Sequence, residues 1–282
     1  MNRLSLFERF LVFYGVTFPE HPRKWWVHGK LRQLIATPKN IDIEVERNGL
    51  RWLLNPSDFE HEGLFWLGGA DPWDLFHLCS FKQKDTVFYD IGANLGHYSL
   101  VFANHKKMQC RIQAFEPNPK TFELLSKHVA MNNMENRVFP NRLALSSSAG
   151  TGTLIERPDN SGASRLGTDA PGIPVAVSTL DLFCSQRDET RLDVVKIDVE
   201  GYEVQVLEGG RATLTRFKPM IIVEFWTPGL SRAGATVDDI AACLASMGYT
   251  LFIPAHERLV PVTDLPRGEV PVNIFAIHPE RR

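Results

Sequence analysis

The apolar pattern changes its period twice along the chain. Residues 3–14 place Leu4, Phe7, Phe10, Leu11 and Tyr14 at helical spacing, which predicts an amphipathic helix. Residues 41–54, IDIEVERNGLRWLL, alternate apolar and polar about Asn48-Gly49. That dipeptide favours the type I′ turn whose twist matches paired strands, so a β-hairpin is expected. A Gly/Pro-rich stretch follows, HEGLFWLGGADPWDLFHL, predicting a loop and then a helix from about Pro72, where proline suits a first turn.

From Asp85 strand-like and helical runs alternate: TVFYDI and HYSLVFANH, CRIQAFE and PKTFELLSKHVAMNN, LDVVKID and EVQVLEGGRATLTRF, MIIVEF and VDDIAACLASMG, then YTLFIP and VNIFAIH. Such alternation implies an α/β domain with a parallel sheet covered on both faces. The expected organisation is an extension over 1–72 and one main domain over 73–282. A Gly/Ser/Pro-rich insertion at 146–178, with short strand signals TGTLIE and IPVAVST, interrupts the alternation. With the extension it is expected to shape a substrate pocket, because long insertions in such folds are often functional.

Composition narrows the classes. Hydrophobic residues are 44 % of the 282 and charged residues 23 %, ordinary globular usage that supports a sizeable core. The formal net charge of -2 offers no strong basic field for a nucleic-acid backbone, so no nucleic-acid partner is expected. Cys79, Cys110, Cys184 and Cys243 are scattered, without zinc-ligand or disulfide spacing, and a reducing cytoplasmic location is the simplest reading. No apolar run approaches the ~20 residues that span a bilayer. Glu8 and Arg9 interrupt the first run, against a secretory signal. The Phe-rich first helix either packs on the main domain or lies in a membrane interface, since Phe7, Phe10 and Tyr14 have Arg3, Arg9, Arg23, Lys24, Trp25 and Trp26 nearby.

The chemistry concentrates at VFYDIGANLGHYSL. In an open α/β sheet, ligands bind beyond the carboxyl ends of the strands. Asp90 ends one strand, and Gly92 and Gly96 allow a sharp turn and close backbone approach before a helix near His97. Glu116 ends the next strand, where an acid can accept both hydroxyls of a ribose. A dinucleotide fold places a glycine where Asn94 stands, and a strand-end carboxylate opposes a pyrophosphate. It suits a ligand with an ammonium group, such as S-adenosylmethionine (SAM). A nicotinamide-dependent oxidoreductase is therefore the weaker reading.

With FYDIGANLGHYSL, AFEPNPKTFELL, LALSSSAG, VSTLDLF, LDVVKIDVEGYEVQVLEGG and IIVEF in this order, the chain from about Trp73 to Ile277 resembles the FkbM-type SAM-dependent methyltransferases. The resemblance implies a class I methyltransferase (Rossmann-like) sheet of seven mostly parallel strands, the last antiparallel. It implies methyl transfer to a hydroxyl, usually of a sugar, glycan, glycosylated metabolite or polyketide-like acceptor. By the same resemblance, Asp90, Gly92, Asn94 and Gly96 cradle the methionine half of SAM, and Glu116 binds its ribose with Asn118 beside it. Ala144 and Leu145 flank the adenine. Lys196, Asp198, Glu200 and Glu224 face methionine and acceptor. Where relatives often carry Tyr-Glu before the first strand, this chain has Trp73-Asp74.

An alcohol is a poor nucleophile at neutral pH, so a base or a metal is expected to assist. Candidate bases are His97, Asp198, Glu200 and Glu224, with His61 and His77 as outlying surface histidines. Asp198 with Glu200 is a minimal Mg²⁺ pair, and no metal site is assigned. Trp66, Trp73 and Trp226 are candidate stacking surfaces for a sugar ring. The remaining alternative is a SAM-binding scaffold without turnover, with the Phe-rich helix as its interaction element.

Overall fold

The computed structural model describes residues 4–17, 23–32, 34, 41–69, 72–81, 85–105, 110–157 and 160–281. Arg3 and the side chain of Trp25 lie outside the described set. The chain forms two compact units, residues 1–72 with 157–162, and residues 73–156 with 163–282.

The first unit contains α1 (Leu6–Thr17), α2 (Lys24–Arg32), β1 (Ile43–Arg47), β2 (Leu50–Leu54) and α3 (Phe59–Leu67). Strands β1 and β2 pair antiparallel from Arg47↔Leu50 to Ile43↔Leu54. Asn48 and Gly49 both take positive φ, 56° and 70°, as a type I′ turn requires. Asp58 starts α3 by accepting a hydrogen bond from the Glu60 N–H (3.0 Å).

Helix α1 buries Leu11, Val12 and Gly15, and leaves Phe7 and Phe10 exposed. The expected apolar face is therefore only partly the buried one. The helix is apolar on two sides, and a close approach decides which turns inward: a Cβ on Gly15 would lie 2.0 Å from the Trp66 carbonyl oxygen of α3. Trp66 and His61 are buried in this unit. Trp66 has no face left for a sugar. His61 is not a surface histidine: its Nδ1 accepts from the Asn55 N–H (2.9 Å), and burial lowers its pKa.

The second unit begins with α4 (Pro72–Cys79), β3 (Thr86–Ile91), α5 (His97–His105), β4 (Cys110–Phe115), α6 (Pro119–Met131) and β5 (Val138–Asn141). The insertion contributes β6 (Ala144–Leu145), β7 (Gly150–Ile155), β8 (Arg165–Leu166) and β9 (Ile173–Ser178). Then come α7 (Leu180–Ser185), β10 (Val194–Ile197), α8 (Glu203–Gly209), α9 (Arg211–Phe217), β11 (Met220–Phe225), α10 (Thr227–Arg232), α11 (Val237–Ser246), β12 (Thr250–Ala255), β13 (Arg258–Pro261) and β14 (Val272–Ile277).

The main sheet runs β13-β12-β14-β11-β10-β3-β4-β5. Strands β5, β4, β3, β10 and β11 are mutually parallel, and β14 lies antiparallel to β11 and to β12. This is the class I methyltransferase arrangement, with the last strand antiparallel. It has eight strands rather than seven, because the chain turns after β12 at His256 (φ 53°) and returns as the edge hairpin strand β13. The insertion forms its own sheet, β6-β9-β7-β8.

Strand alternation sends odd and even positions to opposite faces. Tyr89, Ile91, Phe115, Val195, Ile197 and Val223 enter a continuous apolar core with residues of α7, α8, α9 and α11. The even positions carry apolar residues early in each strand and charged ones at the carboxyl ends.

Candidate active site

Register explains why the charged residues meet. Asp90 pairs with Lys196 across β3 and β10, and Lys196 pairs with Ile222 of β11. Glu116, Asp198 and Glu224 stand two positions beyond Ala114, Lys196 and Ile222, and so on the same face. One sheet edge thus collects Asp90, Glu116, Lys196, Asp198 and Glu224.

The corner after β3 is held by its own chain. Gly92 has φ +82°, and a Cβ there would lie 1.7 Å from the Asp198 carbonyl oxygen. Gly96 has φ +93°, and its Cβ would meet Leu100 and Leu125 at 2.6 Å. The glycines therefore admit neighbouring chain segments, rather than leaving room for a ligand alone. Asn94 adopts φ 50°, the left-handed region that asparagine tolerates. Its N–H donates to Glu116 Oε2 (3.0 Å), while the Asn118 N–H donates to Oε1 (2.8 Å). Burial raises the Glu116 carboxyl to about 7 against the pull of these two N–H groups. Each oxygen of Glu116 retains acceptor capacity, since a carboxylate offers about four lone-pair sites. Asn118 is committed elsewhere: its side-chain oxygen caps α6 through the Lys120 N–H (3.0 Å). Ala144 and Leu145 are buried and pair with Val177 and Ser178 of β9.

Asp90 is buried. Its Oδ2 accepts from the Ser99 hydroxyl (2.6 Å), and its Oδ1, also buried, receives no hydrogen bond among the described residues. Burial raises its pKa, opposed by Lys196 and by Ser99. Lys196 is buried too, donating to Asp198 Oδ2 (2.6 Å) with its Nζ 4.5 Å from the centre of the Tyr98 ring. Burial disfavours its charge, but Asp198 and Asp90 more than offset this and raise its pKa. The Asp198 side chain keeps 30 % of its surface exposed. Desolvation and then the charge of Lys196 lower His97 to about 4, leaving a neutral ring at physiological pH.

Glu200 adopts φ 58° and Gly201 φ 110°. A Cβ on Gly201 would lie 2.3 Å from the Gly229 carbonyl oxygen, so only glycine lets β10 leave the sheet this close to α10. Glu203, which the sequence reading passed over, fastens this turn: its Oε1 accepts from the Val199 and Gly201 N–H groups, both at 3.1 Å. It is buried, and burial raises its carboxyl to about 7. The folded form therefore holds the proton more tightly than the unfolded chain, and its share of stability falls as pH rises from about 4.5 to 7. Glu203→Gln should flatten the stability–pH curve in that window. Glu203→Ala should cost about 2 kcal/mol throughout by orphaning two N–H groups. Urea melts across pH check both; an unchanged slope in Glu203→Gln would refute the assignment.

Glu224 has a partly accessible side chain, but its Oε2 is buried and receives no hydrogen bond among the described residues. Burial first, then the charges of Asp198, Glu200 and Glu203, push its carboxyl well up. Beside it, Asn273 of β14 pairs with Glu224 in register and donates to Asp74 Oδ2 (2.8 Å), and the Tyr98 hydroxyl reaches the same oxygen (3.4 Å). The Trp73-Asp74 acid thus joins this edge of the sheet. His77 donates from Nε2 to the His256 carbonyl (2.8 Å) and stands outside the acidic row. Trp73 meets the His256 ring, and Arg232 covers one face of Trp226 at 4.7 Å. No cluster of three or more His, Cys, Asp or Glu suited to a metal occurs among the described residues, and Asp198 is engaged by Lys196.

The arrangement has a cationic complement. Carboxylates outnumber Lys196, and the orphaned Asp90 Oδ1 beside a glycine corner fits an ammonium group. Glu116, one strand over, fits a pair of hydroxyls.

A family model described as the methyltransferase FkbM domain matches residues 90–251, from Asp90 into β12. The hexuronic acid methyltransferase AglP of Haloferax volcanii is 28 % identical over 168 residues, which cover 60 % of this chain and 65 % of that protein. Methyltransferase sdnD of Sordaria araneosa is 30 % identical over 211 residues, 64 % of this chain and 78 % of that one. A solved FkbM methyltransferase of Methylobacillus flagellatus aligns with a TM-score of 0.47 at 15 % identity, over 70 % of this chain and 45 % of its own. The chain spans just under two thirds of the Haloferax protein and less than half of the solved one. With more than half of its length matched by the family model, the chain belongs to the FkbM-domain methyltransferase family.

Proposed function

We propose that this chain is a SAM-dependent O-methyltransferase acting on a hydroxyl of a sugar or glycan, with a glycosylated or polyketide-like metabolite as the next acceptor class. The observation that carries the donor assignment is the pairing of Asp90, whose buried Oδ1 lacks a partner, with Glu116 on the neighbouring strand end. Asp90 would take the ammonium group of SAM and Glu116 its ribose hydroxyls, with Asn94 and the two glycines forming the corner between them. The sugar preference draws on the hexuronic acid named for the Haloferax relative and on the aromatic faces of Trp73 and Trp226.

SAM supplies a methyl group already activated by its sulfonium, so the protein has to hold the acceptor oxygen in line and take up its proton. We assign the proton to Glu224 Oε2, which is buried, unbonded and of raised proton affinity. Asp198 is less suited because its Oδ2 is engaged by Lys196 Nζ (2.6 Å), and Glu203 because its Oε1 is spent on backbone N–H groups. His97 is neutral and a weaker base. Lys196 positions Asp198 through the bond to its Oδ2.

The test is transfer of isotopically labelled methyl from SAM to panels of saccharides, uronic acids and polyketide alcohols, with the product linkage read by NMR. A methyl ether on a saccharide hydroxyl supports the reading. Label on nitrogen or carbon, or no transfer by protein that binds SAM, would refute it and favour the scaffold.

A further inference from the structure

Helix α1 has two apolar sides with different fates. At 100° per residue, Leu11, Val12 and Gly15 share the side turned inward against α3. Leu6, Phe10 and Phe13 fall at i, i+4 and i+7 on the opposite side, flanked by Phe7 and Val16. These five side chains are between 41 % and 86 % exposed. A helix that buries one apolar face in its own unit gains nothing there from a second apolar face, which is costly to leave in water. The structure leaves that second face uncovered.

The exposed charges described on α1, α2 and the turn before α2 have one sign. Glu8, the acid of α1, is buried and its carboxylate accepts from the Ser5 N–H (2.6 Å) at the start of the helix. Among the described side chains of α1, α2 and the turn before α2, the exposed charges are Arg9, Arg23 and Lys30, and Trp26 of α2 is 63 % exposed. Exposed phenylalanines and Arg9 on α1, with exposed Arg23, Lys30 and Trp26 on the neighbouring α2 and the turn before it, supply the apolar and cationic groups of a helix lying in a lipid headgroup region. A two-fold contact between copies of this face would instead bring Arg9 of α1 toward the same cation of the other copy.

We infer that the outer face of α1 docks on an anionic membrane surface, inserting Leu6, Phe10 and Phe13 while Arg9, Arg23 and Lys30 meet lipid headgroups. The inference is independent of the donor and acceptor assignments.

Sedimentation with vesicles tests it, using phosphatidylcholine alone and phosphatidylcholine with about one third phosphatidylglycerol. The full chain should bind the anionic vesicles, bind the neutral ones far less, and dissociate as salt rises. Phe10→Ser with Phe13→Ser should reduce the bound fraction to background with an unchanged melting temperature. Arg23→Glu with Lys30→Glu, which leaves the apolar face intact, should weaken binding to the anionic vesicles, and decides the matter if the first variant folds poorly. No binding to either vesicle, or binding indifferent to both variants, would overturn the inference. So would an oligomer that Phe10→Ser with Phe13→Ser converts to monomer, which would give the face to a second copy.

Discussion

Glu224→Gln is expected to lower turnover by about 10²–10⁴-fold while leaving SAM affinity close to that of the parent chain. Glutamine keeps the shape of the side chain and its place on β11 opposite Asn273, but cannot accept the acceptor's proton. The parent enzyme should show a rate that rises with pH along a limb above the ordinary carboxylate range, because Glu224 must be ionised to act and its proton affinity is raised by burial and by Asp198 and Glu200. That limb should disappear in Glu224→Gln. A limb that persists unchanged would assign the base to a group other than Glu224. A loss of SAM affinity with turnover intact would make Glu224 a donor-side residue.

Lys196→Met is expected to destabilise the fold by about 3 kcal/mol, the lower end of the cost of breaking a buried ion pair. Its Nζ is buried between Asp198 and Asp90, and methionine fills similar space without the charge. The stabilisation belongs to a lysine whose folded pKa is raised above 10.5, so it is fully present below that pH and lost only as pH climbs past it. Measurement at pH 7.5 therefore reads its whole value. Asp198, with 30 % of its side chain in solvent, can recover water when Lys196 is removed, which keeps the cost from being larger. Asp90 is buried and cannot. A double variant, Lys196→Met with Asp90→Asn, should therefore recover part of the loss, a coupling readable by urea denaturation. Strict additivity of the two substitutions would show that Lys196 and Asp90 do not support one another.

Much of the site is written locally. A strand-end acid, an Asp-x-Gly corner and even spacing of Lys196 with Asp198 place charges at the carboxyl ends of strands by period two alone. The fold was equally legible, since a regular exchange of two periods leaves little choice of architecture. What escaped has physical reasons. The bond from Asn273 to Asp74 joins residues 199 apart, and no local pattern encodes such a partner. Glu203 looked like any acid in a first helical turn, although it caps the loop before the helix. Gly92 and Gly96 were recognised as necessary, but their close neighbours prove to be Asp198, Leu100 and Leu125. Periodicity identified α1 as apolar without saying which of its apolar sides would turn inward, a matter settled by the close pass of Gly15 beside Trp66. His61 was misplaced because the glycines of HEGLFWLGG read as a loop, whereas Phe59–Leu67 form helix α3 and His61 lies on its buried side.

The central claim is that strand-end carboxylates hold a SAM donor. Isothermal calorimetry with SAM, S-adenosylhomocysteine and NAD, on the parent chain and on Asp90→Ala with Glu116→Ala, tests it most directly. Saturable binding of SAM and S-adenosylhomocysteine, absent for NAD and abolished in the folded double variant, is the predicted result. Binding of NAD, or SAM binding undiminished in the variant, would contradict it.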